Sequence, residues 1–197
     1  MNKKSRGLSN TVRIIGGKWR GKKLSFPSID GLRPTPDRIR ETIFNWLQFE
    51  LHGARVLDLF AGSGAFGLEA LSRGASYVIF VEKDATAVAQ INTHLRDLHI
   101  DNALVEHSDA RRFLQQAPPQ AFDIVFLDPP YGQQLLAPCI TELEKRRFLS
   151  DNAYIYLEAE SSLKNLPIPQ NWRLHRSKHS GQVSYHLAIR EPHSEMN

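Results

Sequence analysis

Short apolar segments alternate with amphipathic ones from residue 55 onward, and this alternation limits the fold more than any other feature of the 197-residue chain. The apolar segments predict strands at residues 55–60, 77–82, 103–107, 122–128 and 153–158. The segments between them predict helices at residues 64–73, 85–98, 110–116 and 135–146. Strands that alternate with helices across short loops form a parallel sheet covered on both faces. The chain therefore predicts a doubly wound α/β domain, closed by an antiparallel hairpin at residues 172–177 and 183–189.

A glycine-rich turn joins the first of these strands to the helix that follows it. Gly62, Gly64 and Gly67 fit the pattern G-x-G-x-x-G, in which backbone N–H groups at a helix start cradle a nucleotide. The next strand ends at Glu82, at about the 20-residue spacing where an acidic residue binds a ribose diol. We therefore expect a nucleoside cofactor, although this pattern alone does not distinguish NAD from S-adenosylmethionine.

The tetrapeptide Asp128-Pro129-Pro130-Tyr131 ends the fourth strand and indicates the chemistry. An exocyclic amine of a nucleobase is a poor nucleophile because its lone pair is delocalised into the ring. Acceptors such as the Asp128 carboxylate and the Pro129 carbonyl would bind both of its hydrogens and favour the charge that develops on nitrogen. Proline stiffens the loop, and the ring of Tyr131, rather than its hydroxyl, would stack on a base turned out of its helix.

The two motifs taken together favour S-adenosylmethionine over NAD. Asp58, close to the glycine turn, would repel a pyrophosphate but could accept a hydrogen bond from the ammonium group of a methionine moiety. In a doubly wound sheet the first and fourth strands are neighbours, and ligands bind beyond their carboxyl ends. We therefore expect the methyl donor and the target amine to face each other across one crevice. Asp109, after the third strand, could bind the adenine amino group, cap the next helix, or do both.

The first fifth of the chain is strongly basic, although the net charge is only +4. Eleven of the 25 lysine and arginine residues lie at or before Arg40, against two acidic residues. Residues 12–15 and 22–26 predict a hairpin, and residues 37–51 a helix with one buried face. Cations interleaved with an aromatic side chain suit phosphate contacts and base stacking. The candidate RNA contacts are Lys18, Trp19, Arg20, Lys22, Lys23, Arg33, Thr35, Arg38 and Arg40.

Composition disfavours several classes of protein. Cys139 is the only cysteine, so an intramolecular disulfide is not possible. No run of about 18 apolar residues predicts a transmembrane helix, and no apolar signal core follows the basic start. We expect a cytoplasmic protein with no membrane partner. His175, His179 and His186 lie on a predicted hairpin without a neighbouring cysteine, and we expect no metal site there.

The length and the 41% hydrophobic content fit one main domain and, we expect, a monomer. We divide the chain into a basic RNA-binding extension at residues 1–34, a catalytic domain at residues 35–192 and a short tail at residues 193–197.

Four sequence blocks resemble the RsmD family of bacterial 16S rRNA guanine-N2 methyltransferases. They are R-I-I-G-G-K-W-R-G at residues 13–21, L-R-P-T-P-D-R-I-R-E-T at 32–42, F-A-G-S-G at 60–64 and D-P-P-Y at 128–131, in the family's order. The last two recur throughout amine methyltransferases, whereas the first two are specific. The resemblance covers nearly the whole chain. It implies a Rossmann-like class I methyltransferase fold with a small N-terminal hairpin and seven further strands in the order 3-2-1-4-5-7-6, strand 7 being antiparallel.

The resemblance also implies a reaction and a set of site residues. The reaction is methyl transfer from S-adenosylmethionine to the exocyclic N2 of guanine 966 of 16S rRNA, on a small ribosomal subunit or its assembly intermediate. The family often carries Phe where this chain has Tyr131, and either ring can stack. The cofactor residues that we expect are Asp58, Phe60, Ala61, Gly62, Ser63, Gly64, Glu82, Lys83, Asp109, Ala110 and Asp128, and the catalytic residues are Asp128, Pro129, Pro130 and Tyr131.

Two other functions stay open at this point. A DNA adenine methyltransferase is one, because D-P-P-Y does not distinguish one exocyclic amine from another. DNA enzymes that read a sequence usually need a target-recognition domain, however, and no inserted domain is visible. The other is a ribosome-assembly factor that binds RNA and keeps the cofactor fold only as a scaffold. The presence of Asp58, Glu82 and Asp128 argues against it.

Overall fold

The computed structural model describes residues 10–26, 35–161, 163 and 165–192. Within them the strands are β1 (Asn10–Arg13), β2 (Lys23–Phe26), β3 (Arg55–Asp58), β4 (Tyr77–Glu82), β5 (Ala103–His107), β6 (Phe122–Leu127), β7 (Leu149–Glu160), β8 (Trp172–Ser180) and β9 (Val183–Arg190). The helices are α1 (Asp37–Trp46), α2 (Ala65–Ser72), α3 (Ala85–Asp97), α4 (Ala110–Gln116) and α5 (Leu136–Lys145). None of these helices is long and apolar enough to cross a membrane. The proposed tail at residues 193–197, and residues 1–9 and 27–34 of the proposed basic extension, lie outside the described residues.

The larger sheet has seven strands in the order β5-β4-β3-β6-β7-β9-β8. Strands β3 to β7 pair in parallel, whereas β9 runs antiparallel to both of its neighbours. The predicted fold and the strand order 3-2-1-4-5-7-6 are therefore confirmed. Because β3 and β6 are neighbours, with Asp58 opposite Phe126, the glycine turn and the tetrapeptide leave the sheet at the same edge.

The sheet separates two apolar cores. Phe126 contributes to the core on the side of α1, α2 and α3, where it stacks on Phe66 at 4.8 Å. Its neighbour Val125 contributes to the core on the side of α4 and α5. A central strand that is buried on both faces needs apolar side chains at every position. For this reason residues 124–127 of β6 form an uninterrupted apolar run, whereas Asp123, at the start of the strand, is only partly buried.

The predicted N-terminal hairpin forms and packs on the larger domain. β1 and β2 pair in antiparallel fashion, and their apolar side chains are buried in the same core as those of α1 and α2. The hairpin turn contacts the end of α2, where the Lys18 N–H donates to the Ser72 carbonyl at 2.7 Å. The Trp19 N–H donates to the Ser72 hydroxyl at 3.0 Å. The hairpin is thus joined to the domain built on the seven-stranded sheet by backbone hydrogen bonds as well as by apolar contact.

A buried carboxylate strengthens this junction. Glu69 of α2 is 0% exposed and accepts hydrogen bonds from the N–H groups of Ile15 and Gly16 at 2.7 and 2.8 Å. It also accepts one from Arg73 Nε at 2.7 Å. Every residue of α2 is buried, because the sheet covers one side of the helix and the hairpin covers the other.

Two element boundaries lie four or more residues from the predicted positions. α1 ends at Trp46, yet Leu47 and Leu51 are 0% and 1% exposed, since the turn after the helix folds back onto the core. Their burial prolonged the apolar pattern beyond the helix. β7 begins at Leu149 rather than at residue 153, because a polar segment, residues 150–152, lies inside the strand and interrupts its apolar run.

Candidate active site

The glycine turn connects β3 to α2 as predicted. Gly62 and Gly64 have φ values of 52° and 76°, which side-chain-bearing residues rarely adopt. The Gly62 N–H donates to Glu82 Oε2 at 2.7 Å, and the Asp84 N–H donates to Glu82 Oε1 at 2.8 Å. Glu82 therefore ties the loop after β3 to the loop after β4. Each carboxylate oxygen keeps a lone pair for a further donor, so ribose binding by Glu82 stays a prediction.

The third glycine has a packing role. A Cβ atom on Gly67 would lie 2.1 Å from the Phe80 ring, so only glycine lets α2 approach β4 this closely. Of the other predicted residues in this turn, Ala61 and Ser63 are buried and Phe60 is partly buried.

Asp58 is the last residue of β3 and is 2% exposed. Its Oδ2 atom accepts a hydrogen bond from the Gly67 N–H at 3.0 Å, which holds the first turn of α2 on the strand. Burial raises the pKa of the Asp58 carboxyl to about 7. The hydrogen bond from Gly67 opposes this rise in pKa, and the charge of Glu82 adds to it. A cationic group brought to Asp58 would favour its ionised form.

Asp109 caps the helix that follows β5. Its Oδ1 atom accepts hydrogen bonds from the N–H groups of Arg111 and Arg112 at 2.9 and 3.3 Å, which confirms one of the two roles that the sequence suggests. The cap uses Oδ1 alone, so a contact from Oδ2 to an adenine amino group stays a prediction. Ala110 is the buried first residue of α4, and Lys83 is exposed after β4.

Asp128 follows the last residue of β6, and it is partly buried. Its Oδ2 atom accepts a hydrogen bond from the Thr35 hydroxyl at 3.2 Å. Burial and the charge of Glu158 raise the pKa of the Asp128 carboxyl well above its usual range; the Thr35 hydrogen bond opposes the rise and Asp58 adds to it. Pro129 is buried. The tetrapeptide therefore presents a carboxyl group on a stiff, anchored loop.

A carboxylate of β7 anchors the tyrosine of the tetrapeptide. The Tyr131 hydroxyl donates to Glu158 Oε1, and the Tyr156 hydroxyl donates to Glu158 Oε2 at 2.7 Å. Glu158 is 7% exposed, whereas Tyr131 is 49% exposed. From the sequence we expect no role for the Tyr131 hydroxyl; in the structure it is the end by which the ring is held.

The carboxyl groups of Asp58, Asp128 and Glu158 lie on one face of the sheet, at the carboxyl ends of β3, β6 and β7. No lysine, arginine or histidine of the described residues forms an ion pair with any of them. A buried acidic surface of this kind favours a cationic ligand. In the described part of the chain, no three His, Cys, Asp or Glu side chains are arranged to hold a metal ion.

Most of the predicted RNA contacts lie on the hairpin and at the start of α1. The exposed cations among them are Lys18, Arg20, Lys22, Lys23 and Arg38. Trp19 is partly buried against the core, with Lys18 Nζ 5.0 Å from the centre of its ring. Arg33 lies outside the described residues. Thr35 is 9% exposed, and its hydroxyl binds Asp128 instead of facing an open surface.

The prediction that Arg40 contacts RNA is wrong. Its side chain is 1% exposed and donates to the Arg13 carbonyl at 2.7 Å and to Asp37 Oδ1 at 2.6 Å. Its Nη1 atom lies 3.8 Å from Glu69 Oε2. The guanidinium joins the hairpin to α1 and α2, and a buried group cannot reach a phosphate on the surface.

Sequence reasoning missed Glu158 and Tyr156 as site residues. A signal for Glu158 existed, because it directly follows the apolar run at residues 153–157, and an acidic residue buried at the end of such a run needs a partner. Tyr156 carried no such signal, since tyrosine is common in strands. Glu69 was also missed, because one glutamate in a helix ordinarily faces solvent.

The comparisons with known proteins agree on one family. The family model described as "Conserved hypothetical protein 95" matches residues 12–189. The chain is 47% identical over 196 residues to the ribosomal RNA small subunit methyltransferase D of Escherichia coli strain K12, which covers 99% of this chain and 98% of that protein. It is 46% identical over 179 residues to the protein of the same name from Haemophilus influenzae, covering 89% and 92% of the two chains.

Solved structures give the same result. A putative methyltransferase from Escherichia coli superposes with a TM-score of 0.87 at 46% identity, over 92% of this chain and 99% of that chain. A putative methylase from Haemophilus influenzae gives a TM-score of 0.80 at 42% identity, over 93% and 100%. Fold, sequence blocks and relatives thus agree, and the chain belongs to the RsmD family of methyltransferases.

Proposed function

We propose that this protein transfers a methyl group from S-adenosylmethionine to the exocyclic N2 of a guanine, guanine 966, in 16S rRNA of the small ribosomal subunit or its assembly intermediate. The observation that carries the proposal is the tetrapeptide loop, in which Asp128 is held by Thr35 beside the strand that leads into the glycine turn. The names of the relatives support rRNA as the substrate class. These names favour rRNA over DNA as the substrate.

The described residues fit S-adenosylmethionine. Gly62 and Gly64 form the positive-φ turn that lets a ligand approach the backbone, and Glu82 lies beside it with lone pairs for a ribose diol. Asp58 is a buried carboxyl group without an ion pair among the described residues, placed to accept a hydrogen bond from an ammonium group. When bound, S-adenosylmethionine supplies an electrophilic methyl group.

The residues of the tetrapeptide would prepare the acceptor. Asp128 and the Pro129 carbonyl would accept hydrogen bonds from the two amine hydrogens, and these bonds strengthen as nitrogen becomes positive. A pKa raised above the usual carboxyl range also suits Asp128 to take up the proton that the methylated nitrogen must lose. Tyr131, tied to Glu158, would stack on the guanine ring.

Replacing Asp128 tests this proposal. Asp128→Ala should lower the single-turnover methylation rate by about a hundredfold to a thousandfold, because a preorganised acceptor is lost. Cofactor affinity, measured by calorimetry, should weaken far less. Asp123→Ala is the matched control, since Asp123 lies at the other end of the same strand and binds the Arg55 N–H.

The readout is mass spectrometry of nucleosides from unmethylated 16S rRNA, both naked and in small-subunit particles. A single-turnover rate for Asp128→Ala within tenfold of wild type would contradict the assignment of Asp128 as the acceptor for the target amine. A wild-type protein that binds these RNAs without methylating them would favour the non-catalytic assembly factor.

A further inference from the structure

The edge strand β8 carries a second basic surface. Every residue from Arg173 to His179 is exposed. Five of these seven residues are arginine, lysine or histidine, and none is acidic. β8 ends the seven-stranded sheet, so one of its edges has no neighbouring strand among the described residues.

Two of these cations project from the face of the sheet that carries the candidate active site. Arg176 pairs with Leu187 and Lys178 pairs with Tyr185, and both partners belong to the core on the side of α1. Side chains of directly paired residues lie on the same face of a sheet. Lys178 Nζ lies 6.0 Å from the centre of the Trp46 ring, which stacks on Tyr185 at 5.8 Å. Trp46 therefore orients the lysine ammonium.

The strand register leads from the tetrapeptide to Lys178. Leu127 pairs with Leu157, which puts Asp128 beside Glu158; Glu158 pairs with Tyr185, and Tyr185 with Lys178. Three strand spacings separate Asp128 from Lys178, roughly 14 Å. β8 runs parallel to β6, and Lys178 is near the carboxyl end of β8. It therefore lies at the same end of the sheet as the crevice.

Arg173 lies on the same strand but differs in two ways. It is at the far end, about 16 Å from Lys178 along β8. It also forms an ion pair with Glu191 at 2.8 Å. Neither Arg176 nor Lys178 forms an ion pair with a described residue.

We propose that Arg176 and Lys178, the latter oriented by Trp46, bind the phosphate backbone of the substrate RNA next to the target nucleotide. These cations have no counterion among the described residues and lie on the face of the sheet, and at the end of it, where the target base must enter; such a surface fits a polyanion. This inference rests on the proposed function, because it assumes an RNA substrate. It adds a contact on β8, apart from the candidate contacts on the N-terminal hairpin.

The test compares Arg176→Ala/Lys178→Ala with Arg173→Ala. Binding of a 16S rRNA transcript is measured between 50 and 200 mM salt, and single-turnover methylation is measured in parallel. The double variant should lose about tenfold in RNA affinity, and its log–log salt slope should shrink by roughly 1.4, or 0.7 for each lost contact. Cofactor affinity, measured by calorimetry, should equal that of wild type and shows that the fold is intact. Arg173→Ala should bind RNA like wild type.

A second pair of variants separates charge from structure. In a chain that keeps Arg176, Lys178→Arg preserves the charge and should bind RNA with wild-type affinity. Lys178→Glu should lower RNA affinity further than Lys178→Ala does. Basic side chains on an edge strand also prevent pairing with a second chain, and that role alone predicts RNA affinities and salt slopes equal to wild type in all these variants. Such a result would overturn the inference while wild-type methylation still supported the proposed function. Absence of RNA methylation by the wild type would instead defeat the proposed function itself.

Discussion

Two carboxyl groups at the carboxyl ends of β3 and β6 lie in surroundings that oppose their ionisation. Burial is the main cause for both Asp58 and Asp128, and each feels the charge of another carboxyl group nearby. Uncompensated buried acids are costly, so proteins keep them where a ligand supplies the missing positive charge. Here the methyl donor and the amine that becomes cationic during transfer would supply it.

Asp58 should make cofactor binding depend on pH near neutrality. Its pKa of about 7 means that it is mostly protonated at pH 6, and an ammonium group binds the ionised form. Affinity for S-adenosylmethionine should therefore rise about five- to tenfold from pH 6 to pH 7.5, with release of a proton on binding. Calorimetry in two buffers of different ionisation enthalpy measures both effects. Asp58→Asn should bind more weakly and without this pH dependence; an unchanged pH profile in that variant would assign the titration to another group.

The Tyr131 hydroxyl should act through Glu158. Tyr131→Phe removes one hydrogen bond to a carboxylate and should lower the single-turnover rate several-fold, whereas Tyr131→Ala also loses stacking worth about 1–3 kcal/mol. In a Glu158→Gln background, Tyr131→Phe should cost little more. A double-mutant cycle on the single-turnover rate measures this coupling. Strictly additive losses would mean that the two side chains act independently.

The N-terminal hairpin and α2 pack together as one structural unit. The helix that begins at the glycine turn carries Glu69 and Ser72, and both accept hydrogen bonds from backbone N–H groups of the hairpin. The docking requires glycine at residue 17, because a Cβ atom there would lie 1.8 Å from the Ser72 carbonyl oxygen. The candidate RNA contacts and the cofactor turn are thus joined through one rigid helix.

Gly17→Ala should release the hairpin turn, and Gly21→Ala should not. Both residues have positive φ, 75° and 85°, but a Cβ atom on Gly21 meets nothing within 4 Å. In the Gly21 variant the free energy of unfolding should fall by only about 1–2 kcal/mol, the cost of a side chain in the left-handed conformation. The Gly17 variant should lose more, because the clash is with backbone. Urea unfolding measures both, and equal losses would show that the Ser72 contact contributes nothing beyond strain.

Positive charge is spread over the molecule at different distances from the crevice. α2 starts at the glycine turn and runs for eight residues, about 12 Å, before it reaches the Ser72 carbonyl that binds the Lys18 N–H. The tip of the hairpin is therefore at the far end of this helix from the cofactor turn. An RNA that contacts both the hairpin and Asp128 must be large and shaped, which suits a folded rRNA better than a short oligonucleotide.

Replacing Lys18, Arg20, Lys22 and Lys23 together with Ala should weaken RNA binding without affecting the cofactor site. All four side chains are exposed. The log–log salt slope should flatten by about 0.7 for each phosphate contact that is lost. RNA binding at several salt concentrations measures the slope, and calorimetry with S-adenosylmethionine is the control. A slope equal to wild type would leave these lysines and arginines as an ordinary solvated surface.

Local patterns in the sequence determined the architecture and two of the functional loops. Three patterns depend only on neighbours in the chain: apolar runs such as residues 124–127, glycines at residues 62, 64 and 67, and D-P-P-Y after a strand. The family resemblance implied the order of all seven strands, whereas the residues alone predicted only that the first and fourth strands are neighbours, as in any doubly wound order. The position of Asp58 beside the tetrapeptide strand followed from that order, and the pairing of β3 with β6 confirms it.

Only the tertiary structure decided which polar side chains face inward. Arg40 and Glu69 look like surface residues of two helices, but the hairpin covers them, and their charges meet partners 27 and 53 or more residues away. Glu158 accepts a hydrogen bond from Tyr131, which is 27 residues away in the chain. Lys178, on the last strand of the sheet, lies over the ring of Trp46. Helical and strand periodicity report which side of an element is apolar; they do not report what covers the other side. Burial of a charge is a property of two surfaces in contact, so the periodicity of their helices could not reveal it for Arg40 and Glu69.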